Sequence, residues 1–464
     1  MGYLLGSPVN IQKGREITMD FYVADYGAKA DGMTNDACAI QKAIDACWKN
    51  GGGRVVLESG RQYYSSSLVL KENVELHLER GSVLKASSDL QTYVHPNDGQ
   101  KDEGVDRIGT PVTLKPSYAF LYAKDADRIA VTGSGTIDGN CYAFVKRVSP
   151  YYVTGDFYPR PTMIYVENCD HITFSDVTLQ NAPFWTLHPA GCDDVLISHI
   201  RILNPLDVAN SDGIDPDHSS NVRIIGCHIT CADDAICLKS SSGNMEYGPT
   251  KNIVIADCTL ISTSAALKIG TEGTGDFKNV IVDNCVISSS NRGISIQIRD
   301  GGNVENVSFS NIIIETRRFA DCWWGTAEPI TISTHNREEH TESGSIRNIR
   351  FQNITCDSEN GIFLSGGDKD KIKQVQFRNV QVSVSTKSKW SKGRYDLRPG
   401  FQKGIEERKT AGILLRHVDG VLLEDCQVAF LDNQDGCFGK ALEVEECKRV
   451  EIRGFQGEDA LSFR

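Results

Sequence analysis

Apolar and polar residues alternate along most of this chain, and the alternation restarts at near-regular intervals. A unit of the form Asn-Val-x-Ile-x-x-(Cys/Asn)-x-Ile recurs, with anchors at Ile172, Val195, Val222, Ile253, Val280, Val307, Ile349, Val375, Val421 and Val450. Most anchors lie 23 to 31 residues apart; the gaps 307–349 and 375–421 are longer and must carry insertions. A period of two is the signature of a strand. One such strand per short repeat predicts a solenoid of stacked coils, each burying its inward side chains against the coils above and below. The expected fold is therefore all-β, a parallel β-helix forming a single domain over residues 1–464. Inserted loops are expected at about 315–345 and 383–412, and 383–410, rich in Lys, Arg and Ser, reads as exposed.

The N-terminal end breaks the pattern. Between Asp36 and Asn50 the apolar residues Ala37, Ile40, Ala43, Ile44, Cys47 and Trp48 share one helical face. Thr34, Asn35 or Asp36 can cap its start, and Gly51-Gly52-Gly53 ends it. A solenoid needs its open apolar end covered, so this helix is expected to be the cap, within residues 20–60 or so. The repeat also explains several cysteines. Cys227, Cys258, Cys285 and Cys426 stand where other copies place Val177, Ile200, Ile312, Ile354 and Val380, which marks them as buried apolar side chains.

Composition narrows the setting. Hydrophobic residues at 40% and charged residues at 24% fit a globular chain rather than a disordered one. Nowhere do 18 apolar residues run together, so no transmembrane helix is expected. The stretch Met1 to Pro8 lacks a basic start followed by an apolar core. It does not read as a secretory signal, and a cytoplasmic location is expected unless a signal has been removed. The 15 cysteines, an odd number without CxxC pairs or zinc spacing, point to free thiols in a reducing compartment and to no bound metal or cofactor. A net charge of -12 disfavours nucleic acid and anionic membranes as partners. An acidic sugar would need a local cationic pocket. The oligomeric state is left open.

Candidate chemistry sits in two acidic clusters. Asp212 lies in Asn210-Ser211-Asp212-Gly213-Ile214-Asp215, and Asp233 and Asp234 lie in Cys231-Ala232-Asp233-Asp234-Ala235-Ile236. Each opens a short apolar strand. Aligning Ile214, Ile236, Leu267 and Ile294 as one inward column turns the residues two before, one after and three after outward. Asp212 and Asp234 then stack on adjacent rungs, about 4.8 Å apart in backbone, with Asp233 beside them at the bend. A single aspartate here is more often a turn residue bonded to backbone. Three on two aligned rungs, beside Lys239 and Lys268, argue for a site. Like charges held together push pKa values apart, which yields an acid and a base from one residue type. Hydrolysis of a glycosidic bond needs that pair.

Asn210-Ser211-Asp212, followed 21 residues later by Asp233-Asp234, resembles the polygalacturonase family of glycoside hydrolases, family 28. Asp25-Tyr26-Gly27-Ala28 with Asp31-Gly32, Gly135-Thr136-Ile137-Asp138-Gly139 and Pro183-Phe184-Trp185-Thr186-Leu187-His188-Pro189 also resemble it. The resemblance is clear over residues 20–320 or so. It implies a right-handed parallel β-helix and an inverting, metal-independent hydrolase. By the same resemblance Asp233 would protonate the leaving oxygen, and Asp212 and Asp234 would hold and deprotonate the attacking water. Two departures stand out. Ser264-Ala265-Ala266 replaces the family's Gly-His-Gly, and Ser295-Ile296-Gln297 replaces its Arg-Ile-Lys strand that binds the galacturonate carboxylate.

Other candidates follow from position. Lys239 and Lys268 would offset the aspartate charge and attract a carboxylate. Arg299, near Arg292, is a further candidate cation. Trp323 and Trp324 in the first insertion could stack on sugar faces, and Glu328 could meet a sugar hydroxyl. His188 reads better as a core or turn histidine. The expected substrate is a pectin-derived oligosaccharide or polysaccharide, cut from a chain end. A rhamnose-containing or neutral glycan, and a non-catalytic carbohydrate-binding β-helix, are the alternatives. A calcium-dependent lyase is disfavoured because the carboxylates lack a calcium-loop pattern.

Overall fold

The computed structural model describes residues 19–460, apart from 98–114, 150–151, 155–159, 322, 368–370, 401–403 and 434. Met1 to Pro8, examined above for a signal, lies outside the described residues. The repeat winds as one parallel β-helix, right-handed as crossovers between parallel strands are. One coil shows the plan: Ser220–Ile225, a corner, His228–Cys231, a second bend, then Ile236–Ser240. Every repeat anchor occupies one register column, from Ile172 on Val195 through Val222, Ile253, Val280, Val307, Ile349, Val375 and Val421 to Val450. These side chains are buried up to Val421 and half-buried at Val450 in the last coil. The inward columns form a single continuous core, in which Phe309, Phe351 and Phe377 stack at 5.0 and 4.8 Å. The repeated cysteines Cys227, Cys258, Cys285 and Cys426 all lie in that core.

The recurrent asparagine preceding the anchor has its own physical reason. Asn221, Asn252, Asn279, Asn306 and Asn348 all adopt left-handed backbone, with φ between 54° and 60°. Asparagine tolerates this region where branched residues do not. Their side-chain amides donate in series along the helix axis, Asn252 to Asn221, Asn279 to Asn252 and Asn306 to Asn279, at 3.0–3.2 Å. Asn279→Ala should therefore lower stability by about 1–2 kcal/mol, and Asn279→Gly by less, since glycine keeps the backbone and loses only the amide ladder. Equilibrium denaturation of the two variants measures the difference.

At the N-terminal end α1 (Ala37–Lys49) buries Ala39, Ile40, Ala43, Ile44 and Cys47 against the first coil. Asn35 caps it, accepting from the Ala37 amide at 3.1 Å, while Asp36 turns back to the Lys29 and Ala30 amides. Trp48 departs from expectation. It is 45% exposed at the edge of the stripe, with the Lys71 ammonium 5.7 Å from its ring centroid.

The second insertion also departs from expectation. It forms a hairpin, Arg394–Asp396 paired with Ile405–Glu407, that folds back over the sheet. Tyr395 packs at 4.5 Å on Phe363, and with Ala411 and Leu414 they make a second small core outside the coil. Phe363 and Leu414 are outward residues of their strands, so apolar side chains on that face require a cover. The first insertion is tied to the same hairpin through the Asp396 carboxylate, which accepts from the Gly325 amide at 2.8 Å.

Candidate active site

The face that carries the acidic clusters is a ladder of short parallel strands. Ile236–Ser240, Ala265–Gly273, Arg292–Ile298, Ile330–Thr334, Ile362–Gly366 and Ile413–Arg416 lie side by side. Single bridges Leu187 to Ile214 and Ile214 to Ile236 join them to Leu187–Ala190 and Thr162–Glu167. The inward column Ile214, Ile236, Leu267 and Ile294 is the one that the alignment assigned, and the structure extends it to Leu187 and Ile330. Because side chains alternate along a strand, that column sends Asp212, Asp215, Asp217, Asp234, Lys239, Lys268, Ser295 and Gln297 to the outer face.

There the structure brings Asp212, Asp233 and Asp234 together, with carboxylate oxygens within 4.8 Å of one another. Asp234 is fully engaged: one oxygen accepts from Ser264 Oγ at 2.9 Å and the Ala265 amide at 3.2 Å, the other from Lys268 Nζ at 2.7 Å. Asp233 accepts from the Asn210 amide at 3.1 Å and its neighbour's amide at 3.0 Å. Asn210 is itself clamped by buried Arg160, which bonds its side chain at 3.0 Å and the Pro183 and Ala209 carbonyls. Asp212 differs: its Oδ2 lies 3.4 Å from Lys239 Nζ, and its buried Oδ1 has no hydrogen-bond partner among the described residues. Asp233 is the most open of the three at 9% exposed, against 2% for each of the others.

Burial pushes the Asp233 carboxyl well above its ordinary range, and the charges of Asp212 and Asp234 add to the effect. Burial likewise raises Asp212, helped by Asp215 and Asp234 and opposed by Lys239 and Lys268. The group is thus built to hold a proton at pH values where an ordinary aspartate has lost it. A cation could bridge such carboxylates, but two ammonium groups already lie against them.

The lysines offset the aspartate charge as expected, but neither stands free of it. Lys239 is 2% exposed and packed among Glu272 at 3.2 Å, Asp212 at 3.4 Å and Asp215 at 3.5 Å, with the Trp185 ring 4.1 Å away. Burial opposes its charge, and the surrounding anionic groups outweigh it and hold the ammonium protonated. Lys268 is bound to Asp234. Both therefore neutralise the cluster rather than stand free for a sugar carboxylate.

Arg299 and Glu328 require correction as substrate contacts, since each is 0% exposed. Arg299 donates to the carbonyls of Ile298, Ser333, Leu397 and Pro399 and to Ser333 Oγ, so it fastens the second insertion to the sheet. Burial without a carboxylate in contact lowers its pKa to about 9. Glu328 takes the Arg292 guanidinium at 3.1 Å and the Thr326 amide and hydroxyl at 2.8 and 2.7 Å. Trp323 and Trp324 stack at 6.4 Å and are half-buried. Their carbonyls are held by Arg398 at 3.0 Å and Asn291 at 2.5 Å, which sets them at the start of the strand Arg292–Ile298.

Several participants were not singled out from sequence. Glu272 lies beyond a break in strand register that no motif marks, and its carboxyl is held low by Lys239, Arg337 and Lys268 against the effect of burial. Asp215 is fully buried, with its pKa raised by desolvation; neither oxygen has a hydrogen-bond partner among the described residues, and Lys239 Nζ lies 3.5 Å from one of them. Its place one after the inward Ile214 was the available signal. Asp217 accepts from His188 at 3.2 Å, the Ser241 amide at 2.8 Å and Asn244 at 2.8 Å. Those contacts hold its pKa low against burial and account for His188 as a buried histidine. Arg160 belongs to no repeat copy, and nothing local marks it.

Comparison with known proteins adds an independent finding. The sequence profile of glycosyl hydrolases family 28 matches residues 106–394, more than half of the chain. A probable polygalacturonase of Vitis vinifera is 32% identical over 267 residues, covering 54% of this chain and 52% of that protein. The chain thus spans about half the length of this relative. An endo-polygalacturonase of Pectobacterium carotovorum subsp. carotovorum is 26% identical over 364 residues, 76% of this chain and 86% of that one. Among solved structures, an exopolygalacturonase from Thermotoga maritima has a TM-score of 0.60 at 21% identity, covering 94% of this chain and 92% of its own. A polygalacturonase from Erwinia carotovora has a TM-score of 0.61 at 24% identity, over 75% of this chain and 90% of its own. At these identities the structural likeness speaks for the fold.

Proposed function

Because the chain belongs to glycosyl hydrolases family 28, a family of glycosidases, we propose that it is an inverting hydrolase of pectin-derived oligosaccharides containing galacturonic acid, acting from a chain end. One observation carries the reading: three carboxylates meet on one outward face, unequally bonded, beside two ammonium groups. Asp233, raised by burial and by its neighbours and the most open of the three, is the general acid that protonates the leaving oxygen. Asp212 and Asp234 hold the attacking water. Asp234 is saturated with donors, so the unpartnered Asp212 Oδ1 is the atom that takes the proton from water.

Action from a chain end is supported by the cover on one side of the site. Beyond the strand Arg292–Ile298 the sheet face is closed by both insertions, through Tyr395 on Phe363 and Arg299 on the 397–399 backbone. A groove stopped at one end admits a terminus more readily than the middle of a polymer. Incubation with galacturonic acid di- and trisaccharides and with polymer tests this. Release of single sugars is expected, and random shortening of the polymer would overturn it.

Inversion needs room for a water between acid and base, whereas retention needs a carboxylate placed to attack the sugar itself. NMR of the first-formed anomer decides between them. The inverted configuration is expected, and net retention would reassign Asp212 as nucleophile.

Lys268 is a positioning residue in this scheme. Lys268→Met should lower kcat ~10²-fold with little change in KM, within the range for loss of a preorganised charge. The acidic limb of the pH–rate profile should move upward, because the ammonium that opposes protonation of Asp212 and Asp233 is gone. Lys268→Arg should recover part of the rate.

A further inference from the structure

Between Leu203 and Ile214 the chain leaves the sheet, and side chains rather than a strand ladder fix its path. Asn204 Nδ2 donates to the Ser211 carbonyl at 3.1 Å and to Thr186 Oγ1 at 2.8 Å. Arg160, just ahead of the strand Thr162–Glu167, holds the other part. It is 2% exposed, with its Cζ 5.2 Å from the Phe184 ring centroid. One guanidinium nitrogen donates to the Pro183 carbonyl at 2.6 Å and the Ala209 carbonyl at 2.7 Å, the other to Asn210 Oδ1 at 3.0 Å. The Ala209 carbonyl and the Asn210 N–H belong to one peptide unit. The oxygen of that unit meets the cation, and its N–H donates to Asp233 Oδ2 at 3.1 Å. A peptide is planar, so fixing its carbonyl fixes the direction of its N–H. A cation on the carbonyl also polarises the unit and strengthens the N–H as a donor. Asn210 holds left-handed backbone, with φ 56°, and the bond to its side chain keeps it there.

The linkage is selective among the three carboxylates. Asp234 takes its bonds from Ser264, Ala265 and Lys268, and Asp212 lies against Lys239, whereas the Asn210 amide serves Asp233. The other charges that face Asp233 are Asp212, Asp234 and Asp215, which favour its protonated form, and Lys268 and Lys239, which oppose it. The Cys231 thiol beside it is raised by burial and stays neutral. All of these remain when Arg160 is replaced. A hydrogen bond donated to a carboxylate favours the ionised form, so weakening that bond makes Asp233 a poorer acid.

We propose that Arg160 is a positioning residue, which through the Ala209–Asn210 peptide holds the Asp233 carboxyl in the orientation from which it gives up its proton. This deepens the hydrolase reading and rests on it. The experiment measures kcat and KM of the full chain carrying Arg160→Met across pH, on a galacturonic acid trisaccharide, beside the unaltered protein. A fall in kcat of ~10²-fold is expected, the scale of a small misplacement at a reacting group. KM should change little, because the buried guanidinium is out of reach of a sugar. A general acid must carry its proton, so the basic limb of the profile belongs to Asp233. That limb should move to higher pH, while the acidic limb, set by Asp212, stays in place. Arg160→Lys keeps the charge without the fork and should recover part of the rate. Asn210→Gly keeps the left-handed backbone and the N–H and removes only the Oδ1 acceptor. It should move the basic limb the same way by less, and with Arg160→Lys it decides the matter if Arg160→Met does not fold. A lower rate with both limbs unmoved would make Arg160 a clamp of the fold alone and overturn the proposal. An unaltered rate, or both limbs moving together as for a charge lost at a distance, overturns it as well. In each of those cases the hydrolase stands. If the unaltered protein cleaves no trisaccharide, the hydrolase reading falls and the role of Arg160 with it.

Discussion

Asp233→Asn and Asp212→Asn should each lower hydrolysis at least ~10³-fold while the protein folds normally. General acid–base groups typically contribute 10²–10⁴-fold, and both side chains belong to one unit whose losses are not additive. Stability should move the other way. Asp212 and Asp233 have folded pKa values above their unfolded ones. Their contribution is favourable below the ordinary aspartate range near 4 and is lost as pH rises through the raised values. At neutral and alkaline pH the unaltered protein therefore carries a burden that the amide variants lack. Their Tm should equal or exceed its own, with the gap widening as pH rises. Asp217 and Glu272 are shifted in the opposite sense, so the stability they contribute is present above the ordinary range and is lost as pH falls. Thermal melts across pH, paired with product release, check both halves. Retained activity in either variant would dismiss the assignment of roles.

Arg299→Met should be among the most destabilising single changes on this face. The guanidinium meets Ile298, Ser333, Leu397 and Pro399 through five hydrogen bonds. Removing it leaves several buried acceptors unpaired at about 1–3 kcal/mol each, so a loss of 3 kcal/mol or more is expected. The loss should be local as well as global. Without that bolt the hairpin Arg394–Glu407 separates from the sheet, and limited proteolysis should cut within it long before the coil. If the insertion closes one end of the groove, the variant should also begin to shorten polymer internally. An unchanged Tm and an uncut hairpin would show that Tyr395 and Asp396 hold the insertion unaided.

The contrast between Lys268 and Arg299 shows where reading by sequence stops. Both were candidates by proximity to the aspartates along the repeat. Lys268 meets Asp234 because register alone sets them on neighbouring rungs. Arg299 lies just past the end of its strand, where position depends on what the insertion places over it. Glu328 fails for the same reason. It reads as an accessible carboxylate in a loop, yet Arg292, a hundred residues from the hairpin it also holds, draws it inside. Glu272 and Arg160 were missed because their partners, Lys239 and Asn210, lie across coils and not along the chain.

What the chain determined unaided is the winding. Alternation of period two, an asparagine suited to a left-handed corner and a fixed spacing are local properties repeated many times, and stacking them admits one register that buries every anchor. That register alone carries Asp212 and Asp234 to the same face. Tertiary structure decided how those carboxylates share their donors, which partners the cations Lys239, Lys268 and Arg299 take and how the second insertion lies over the sheet. Each of those depends on desolvation and on hydrogen bonds between segments far apart in sequence, for which no periodic pattern exists.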